Sequence, residues 1–219
     1  MAPAEDRDLW ERRYGEAQSV WGWAPNRFVA EVLGPLPAGR ALDLACGEGR
    51  NALWLADLGW RVTAVDFAEN ALARGRAQGV EHGLDVAWVR ADVVEYEPEA
   101  GAFDAVVIAY LHLGAEKLGR VLRKAVSALA PGGTLVVVGH DVTNLADGVG
   151  GPQDPEILYT PELVTEHLGG LRVVSAERVH RQTDRAPQPA IDTLVVAQAA
   201  DPDADADADA GSTRSASDR

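Results

Sequence analysis

Between residues 40 and 139, short apolar runs alternate with stretches whose apolar residues recur at helical spacing, and that alternation limits the fold more than any other feature. Residues 40–45 (RALDLA), 61–66 (RVTAVD), 85–91 (DVAWVRA), 102–109 (AFDAVVIA) and 134–139 (TLVVVG) read as strands. Between them, 50–59 places Ala52, Leu55, Ala56 and Leu58 on one helical face, and 68–82 is helical up to Gly83. Residues 116–129 carry a helical stripe at Leu118, Val121, Leu122, Ala125, Val126 and Leu129. Repeated strand–helix–strand units give parallel strands with helices on both faces. The continuous apolar run at 102–109 fits a strand buried on both sides. After Gly139 the rule changes. Thr160-Pro161 opens a helix through about Leu168, and strands at 172–180 and 191–198 follow with only a loop between them. A loop without a crossover helix joins antiparallel neighbours. The expected fold is α/β: a doubly wound, mostly parallel seven-stranded sheet with a C-terminal antiparallel hairpin.

Residues 200–219 (ADPDADADADAGSTRSASDR) are Asp-rich with no apolar period and are expected to be a disordered acidic tail. They supply −4 of the formal charge of −14. The remaining body is still acidic, which disfavours a nucleic-acid partner. No apolar run is long enough to span a bilayer, and the first residues lack a basic and apolar leader pattern. Cys46 is the single cysteine, so no internal disulfide forms. A cytoplasmic monomer acting on a small molecule is the expectation from these features. The His, Cys and acidic residues show no metal-ligand spacing.

The segment with most chemical content is DLACGEGRNA at 43–52. Its glycines end a strand and open a helix, which lets the backbone turn tightly and approach a ligand. In an open parallel sheet, ligands bind beyond the carboxyl ends of the strands, where strand order reverses. Asp66 ends the next strand, where a carboxylate can take both hydroxyls of a ribose. Gly47-x-Gly49-x-x-Ala52 with Asp66 also fits a dinucleotide fingerprint. An NAD(P)-dependent oxidoreductase is therefore an alternative, as is a cofactor-binding or interaction protein without catalysis. Asp43 tips the choice. A carboxylate before the loop repels a pyrophosphate but attracts a sulfonium cofactor carrying an ammonium group. Asp92, after the third strand, could meet an adenine amino group.

In order along the chain stand Trp10-x-x-x-Tyr14, Trp21-Gly22, Pro25-Asn26, DLACGEGRN at 43–51, VTAVD at 62–66, RAD at 90–92, FDAVVIAYLHL at 103–113 and LAPGGTLVV at 129–137. This set resembles the class I S-adenosylmethionine-dependent methyltransferases, a Rossmann-like group. It is especially similar to their tellurite-resistance and thiopurine S-methyltransferase-like small-molecule branch, over residues 8–199. One departure is Ala45, where that group often has glycine. The resemblance implies a cofactor-covering segment at 1–39 that includes Trp21, and a methyltransferase domain at 40–199. It implies that Asp43, Ala45, Gly47, Gly49 and Asn51 line the cofactor. Asp66 would hold the ribose, Phe67 would flank the adenine, Asp92 and Val93 would bind it, and Ile108 or Tyr110 would lie near the sulfonium.

An in-line methyl transfer needs an aligned nucleophile and little else. A thiol or chalcogen oxyanion acceptor would need no base, because a thiol is partly ionised at neutral pH. An oxygen or amine acceptor would need one. Tyr110, His112, His140 and Asp141 all stand just past strand ends and are the candidates, with Tyr110, His112 and Asp141 foremost. The structural alternative for His112 is a backbone contact, and for Asp141 a turn. The segment 141–159 is Gly-rich and irregular, and is expected to cover the acceptor.

Overall fold

The computed structural model describes residues 23–183 and 186–202. Trp10, Tyr14, Trp21, most of the expected 1–39 covering segment and most of the acidic tail lie outside the described residues. Seven strands form one sheet: β1 (Arg40–Leu44), β2 (Arg61–Asp66), β3 (Val86–Arg90), β4 (Phe103–Ala109), β5 (Leu129–His140), β6 (Leu171–Thr183) and β7 (Ala186–Ala199). Their order is β3-β2-β1-β4-β5-β7-β6. β1 to β5 are parallel, whereas β7 runs antiparallel to both β5 and β6. This is the α/β Rossmann-like sheet with its antiparallel hairpin. The order reverses between β1 and β4, so the ligand-binding crevice of an open sheet falls there.

The two faces are covered as the helical stripes require. α1 (Arg27–Leu33) and α2 (Arg50–Asp57) lie on one face, where Phe28, Val29, Leu33, Ala52 and Leu55 meet Val107, Val136 and Val138. α3 (Glu69–His82) packs chiefly against β3. α4 (Ala115–Ala128) covers the opposite face with Leu118, Val121, Leu122 and Ala125, against Ile108, Leu135 and Val137. α1 is therefore part of the domain core, and the chain joins the sheet before residue 40.

Three boundaries differ from the sequence reading. β5 starts at Leu129, not Thr134, because Pro131, Gly132 and Gly133 form an irregularity inside the strand: Phe103 faces Leu129, and the next pair is Ala105 with Thr134. The expected loop between the last strands is largely strand, since β6 runs to Thr183 and β7 begins at Ala186. Pro187 and Pro189 are tolerated there because β5 pairs only with Asp192 to Gln198, so this part of β7 has a side that needs no N–H. The helix opened by Thr160 ends at Thr165. The segment 141–159 is less irregular than expected. It holds α5 (Asn144–Asp147) and a 3-10 turn (Pro155–Ile157), and the buried Asn144 pins it by accepting from Ile191 N and donating to Gly150 O.

Candidate active site

The carboxyl ends of β1, β2, β4 and β5 converge on one crevice. Asp43 sits inside β1 with 1% exposure, and neither carboxylate oxygen has a hydrogen-bond partner. Burial pushes its carboxyl up to about 7; the Arg50 charge pulls it down, while Asp66 pushes it further up. An orphaned buried polar group costs about 1–3 kcal/mol, more when charged, unless a partner arrives. This carboxylate is therefore built to meet a cation or a donor from outside.

The loop after β1 is held from below. Asp66 Oδ2 accepts from Gly47 N at 2.8 Å and Oδ1 accepts from Ala68 N at 2.9 Å, so Asp66 shapes the loop and the start of α3 together. Glu48, 2% exposed, pairs with Arg74 of α3 at 2.9 Å. Gly49 has φ +78°, and a Cβ there would stand 2.3 Å from the Trp88 ring. Packing against Trp88 and the left-handed φ thus demand glycine. Cys46 is half-buried, and burial next to Asp66 and Asp43 pushes its thiol well above its ordinary value, so it carries no thiolate at neutral pH.

Past the end of β3, Asp92 Oδ1 accepts from Val94 N, and Val93 is buried. Phe67 packs beside Ala68 and Ala71. Ile108 is fully buried in the α4-side core, so it supports the crevice from beneath and does not line its mouth. Asn51 Oδ1 accepts from Asn26 N at 2.8 Å, and Asn26 Oδ1 caps α1 by accepting from Phe28 N and Val29 N. Asn51 therefore anchors the entry to α1.

The other side of the crevice is a polar and aromatic cluster. Tyr110 follows β4 with φ +59°, and its hydroxyl donates to Asp192 Oδ2 at 2.8 Å. Arg181 Nε donates to the same oxygen at 2.7 Å and lies over the Tyr110 ring. His140 Nδ1 stands 3.1 Å from Asp192 Oδ1, an ion-pair distance without hydrogen-bond alignment. Burial pushes the Asp192 carboxyl up, but the close approach of His140 and the bonds from Arg181 and Tyr110 outweigh it and hold it below its ordinary value. Burial and the neighbouring Asp192 push the Tyr110 phenol up, so Tyr110 is protonated at neutral pH. The Arg50 charge acts on both Asp43 and Tyr110.

His112 completes the cluster. Its Nδ1 lies 3.0 Å from the Ile157 carbonyl, which can only accept, so Nδ1 carries the proton and Nε2 holds a lone pair. Nε2 is buried and has no partner. The ring stacks on His140, with centroids 5.4 Å apart, and Tyr159 lies 5.5 Å away. Burial lowers the His112 pKa to about 4; the Ile157 carbonyl and Asp192 raise it and His140 lowers it further.

Asp141 does not join this cluster. Consecutive strand residues point to opposite faces, so it turns away from His140. Its Oδ1 accepts from Thr143 N, Thr143 Oγ1 and Arg178 Nε, and its Oδ2 accepts from Thr193 Oγ1. Fully engaged and fully buried, it ties the end of β5 to β6 and β7, and the expectation that it acts as a base is corrected. Sequence reasoning missed Asp192 and Arg181. An acid inside the apolar run 191–197 (IDTLVVA) is a signal for Asp192; Arg181 left none.

The fold is the Rossmann-like methyltransferase fold. A family profile described as "Methyltransferase domain" matches residues 41–133. The demethylmenaquinone methyltransferase of Thermus thermophilus is 40% identical over 101 residues, which is 45% of this chain and 46% of that protein. The ubiquinone biosynthesis O-methyltransferase of a Caulobacter species is 34% identical over 104 residues, 47% of this chain and 41% of that protein. The chain spans about half the length of the curated relatives it matches. Among solved structures, the N-methyltransferase NodS of Bradyrhizobium japonicum in complex with S-adenosylhomocysteine superposes with a TM-score of 0.65 at 21% identity. That match covers 88% of this chain and 97% of NodS.

Proposed function

We propose that this chain transfers a methyl group from S-adenosylmethionine to a small-molecule acceptor. The orphaned carboxylate of Asp43 carries the reading. The ammonium group of the cofactor's methionine part would satisfy it, whereas a dinucleotide pyrophosphate would be repelled. Gly47 and Ala45 would let the backbone approach, Asp66 would take the ribose hydroxyls, and Asp92 with Phe67 and Val93 would hold the adenine. When bound, this cofactor supplies a methyl group on a sulfonium, already a strong electrophile. The chain's contribution is alignment and exclusion of water, and alignment can supply about 7–11 kcal/mol. Tyr110, with its proton held by Asp192, would face the acceptor end as an aromatic wall.

Two acceptor classes stand behind this reading. The sequence resemblance points to a thiol or a chalcogen oxyanion, whereas the curated relatives are named for demethylmenaquinone and for O-methylation in ubiquinone biosynthesis. Transfer of labelled methyl from S-adenosylmethionine to a panel of thiols, phenols and selenite tests the function. Label in any of these compounds supports it, and label in none of them, with intact cofactor binding, refutes catalysis.

A further inference from the structure

We infer that Trp88 of β3 and Gly75 of α3 are positioning residues for the cofactor: between them they fix the backbone of Glu48 and Gly49, so the affinity for S-adenosylmethionine is set in part by how α3 seats against the loop. The inference rests on the methyltransferase reading and deepens it.

Glycine is disfavoured inside a helix relative to alanine, so a helical glycine needs a packing reason. α3 carries two, Gly75 and Gly79, both buried. A Cβ on Gly75 would stand 2.4 Å from Trp88 Cη2, 2.6 Å from Trp88 Cζ3 and 2.7 Å from the Glu48 carbonyl oxygen. The same ring edge meets Gly49, where a Cβ would stand 2.3 Å from Cη2 and 2.5 Å from Cζ3. The far edge of the indole therefore fills a notch between two glycines, one at the end of the loop and one in the helix. At Gly75 the helix also lies directly against the loop backbone. Two of the three contacts at Gly75 are to a rigid ring and the third is to backbone, so no flexible side chain is there to absorb a displacement.

The loop is braced from three elements. Gly47 N donates to Asp66 at the end of β2. The buried Glu48 side chain pairs at 2.9 Å with Arg74, the chain neighbour of Gly75. Gly49 rests on Trp88, which is itself held opposite Ala64 of β2 and packed on the core of the α1–α2 side. Close-packed interiors transmit strain instead of relaxing it, so a shift of α3 or of the indole is passed to residues 47–49. A cofactor approached by the backbone of this loop registers such a shift, and a misplacement of about 1 Å can cost about 10²-fold in rate. Trp88 and Gly75 act only through Glu48 and Gly49.

Calorimetric titration of the full chain with S-adenosylhomocysteine tests this in the parent, Gly75→Ala, Trp88→Phe and Gly79→Ala. Urea unfolding of each variant first establishes that it is folded at the titration temperature, where lost stability alone leaves Kd unchanged. Gly75→Ala pushes on the indole and on the Glu48 carbonyl, and Trp88→Phe empties the notch. Each is expected to weaken S-adenosylhomocysteine by about tenfold or more. Gly79→Ala lies one turn further along the same helix, where a Cβ would meet Leu84 O at 3.2 Å and Leu53 Cδ2 at 3.5 Å, and is expected to stay within about twofold. Unchanged affinity in either Gly75→Ala or Trp88→Phe when folded, or an equal loss in Gly79→Ala, overturns the inference while the cofactor reading stands. A parent that does not bind S-adenosylhomocysteine overturns the cofactor reading and this inference with it. A second readout needs no folded Gly75→Ala. In parent protein labelled with 5-fluorotryptophan, the fluorine-19 line missing from Trp88→Phe is expected to move on saturation with S-adenosylhomocysteine, and a line that stays fixed overturns the inference.

Discussion

Ala45 and Tyr110 hold the same left-handed backbone angle, φ +59°, each one residue beyond the end of a central strand, β1 and β4, at the point where strand order reverses. Non-glycine residues avoid this region because Cβ crowds the following carbonyl, at a cost of roughly 1–2 kcal/mol each. Two such residues side by side mark the crevice as strained, and strain of this sort gathers at functional sites. Replacing Ala45 with glycine removes the clash but adds freedom to the unfolded chain. Ala45→Gly is expected to raise stability by about 0.5–1 kcal/mol in urea denaturation. A loss of stability would contradict the reading of Ala45 as a strained substitute for glycine.

Asp43 is expected to trade stability for binding. Its folded pKa of about 7 lies above its ordinary value. The fold therefore favours the protonated form, and stability declines as pH rises from the ordinary carboxylate range through 7. Asp43→Asn removes that decline. It should be more stable than the parent by about 1–3 kcal/mol at pH 8, and about equal to it at pH 4. The same variant should lose at least tenfold in affinity for S-adenosylmethionine. Binding to the parent should strengthen as pH rises through 7, then weaken above about 8 as the ligand's α-amino group loses its proton. Calorimetry at several pH values measures both limbs.

The Asp192 cluster gives a prediction of opposite sign. Its carboxyl is held below its ordinary value in the folded chain. Its contribution is present above the ordinary carboxylate range and fades as pH falls through the folded value. Asp192→Asn leaves Arg181 without its charge partner and should cost about 2–4 kcal/mol at pH 7. The deficit should shrink below about pH 4, where the parent's carboxyl is also protonated. A constant deficit across pH would mean that packing, not charge, holds this hairpin.

Most of the fold was legible because its signals are local. Alternation of apolar runs with helical stripes located every parallel strand of the sheet, and the loop-only connection gave the antiparallel end. The crevice was half legible. Asp43, Asp66 and the glycines announce themselves by standing at a strand–helix junction. Asp192, Arg181 and Ile157 act across 82, 71 and 45 residues of sequence from Tyr110 and His112, and no period or spacing encodes such a meeting. Asp141 misled for a related reason. It stands next to His140 in sequence, but the pleat sends the two side chains to opposite faces.

Asn144 offers a test of whether the segment 141–159 covers the acceptor. Its side chain fixes that segment through Ile191 N and Gly150 O. Asn144→Ala should cost about 1–3 kcal/mol. It should also raise KM for the methyl acceptor while leaving affinity for S-adenosylhomocysteine within twofold (about 0.4 kcal/mol). Equal losses in both would show that the segment 141–159 supports the cofactor side as well.

The most direct test of the account is calorimetric titration of the full chain with S-adenosylhomocysteine and with NADH, beside an Asp66→Ala variant. The account predicts micromolar binding of S-adenosylhomocysteine, its loss in the variant, and no heat from NADH. Binding of NADH without binding of S-adenosylhomocysteine would contradict it and make the glycine loop a dinucleotide site.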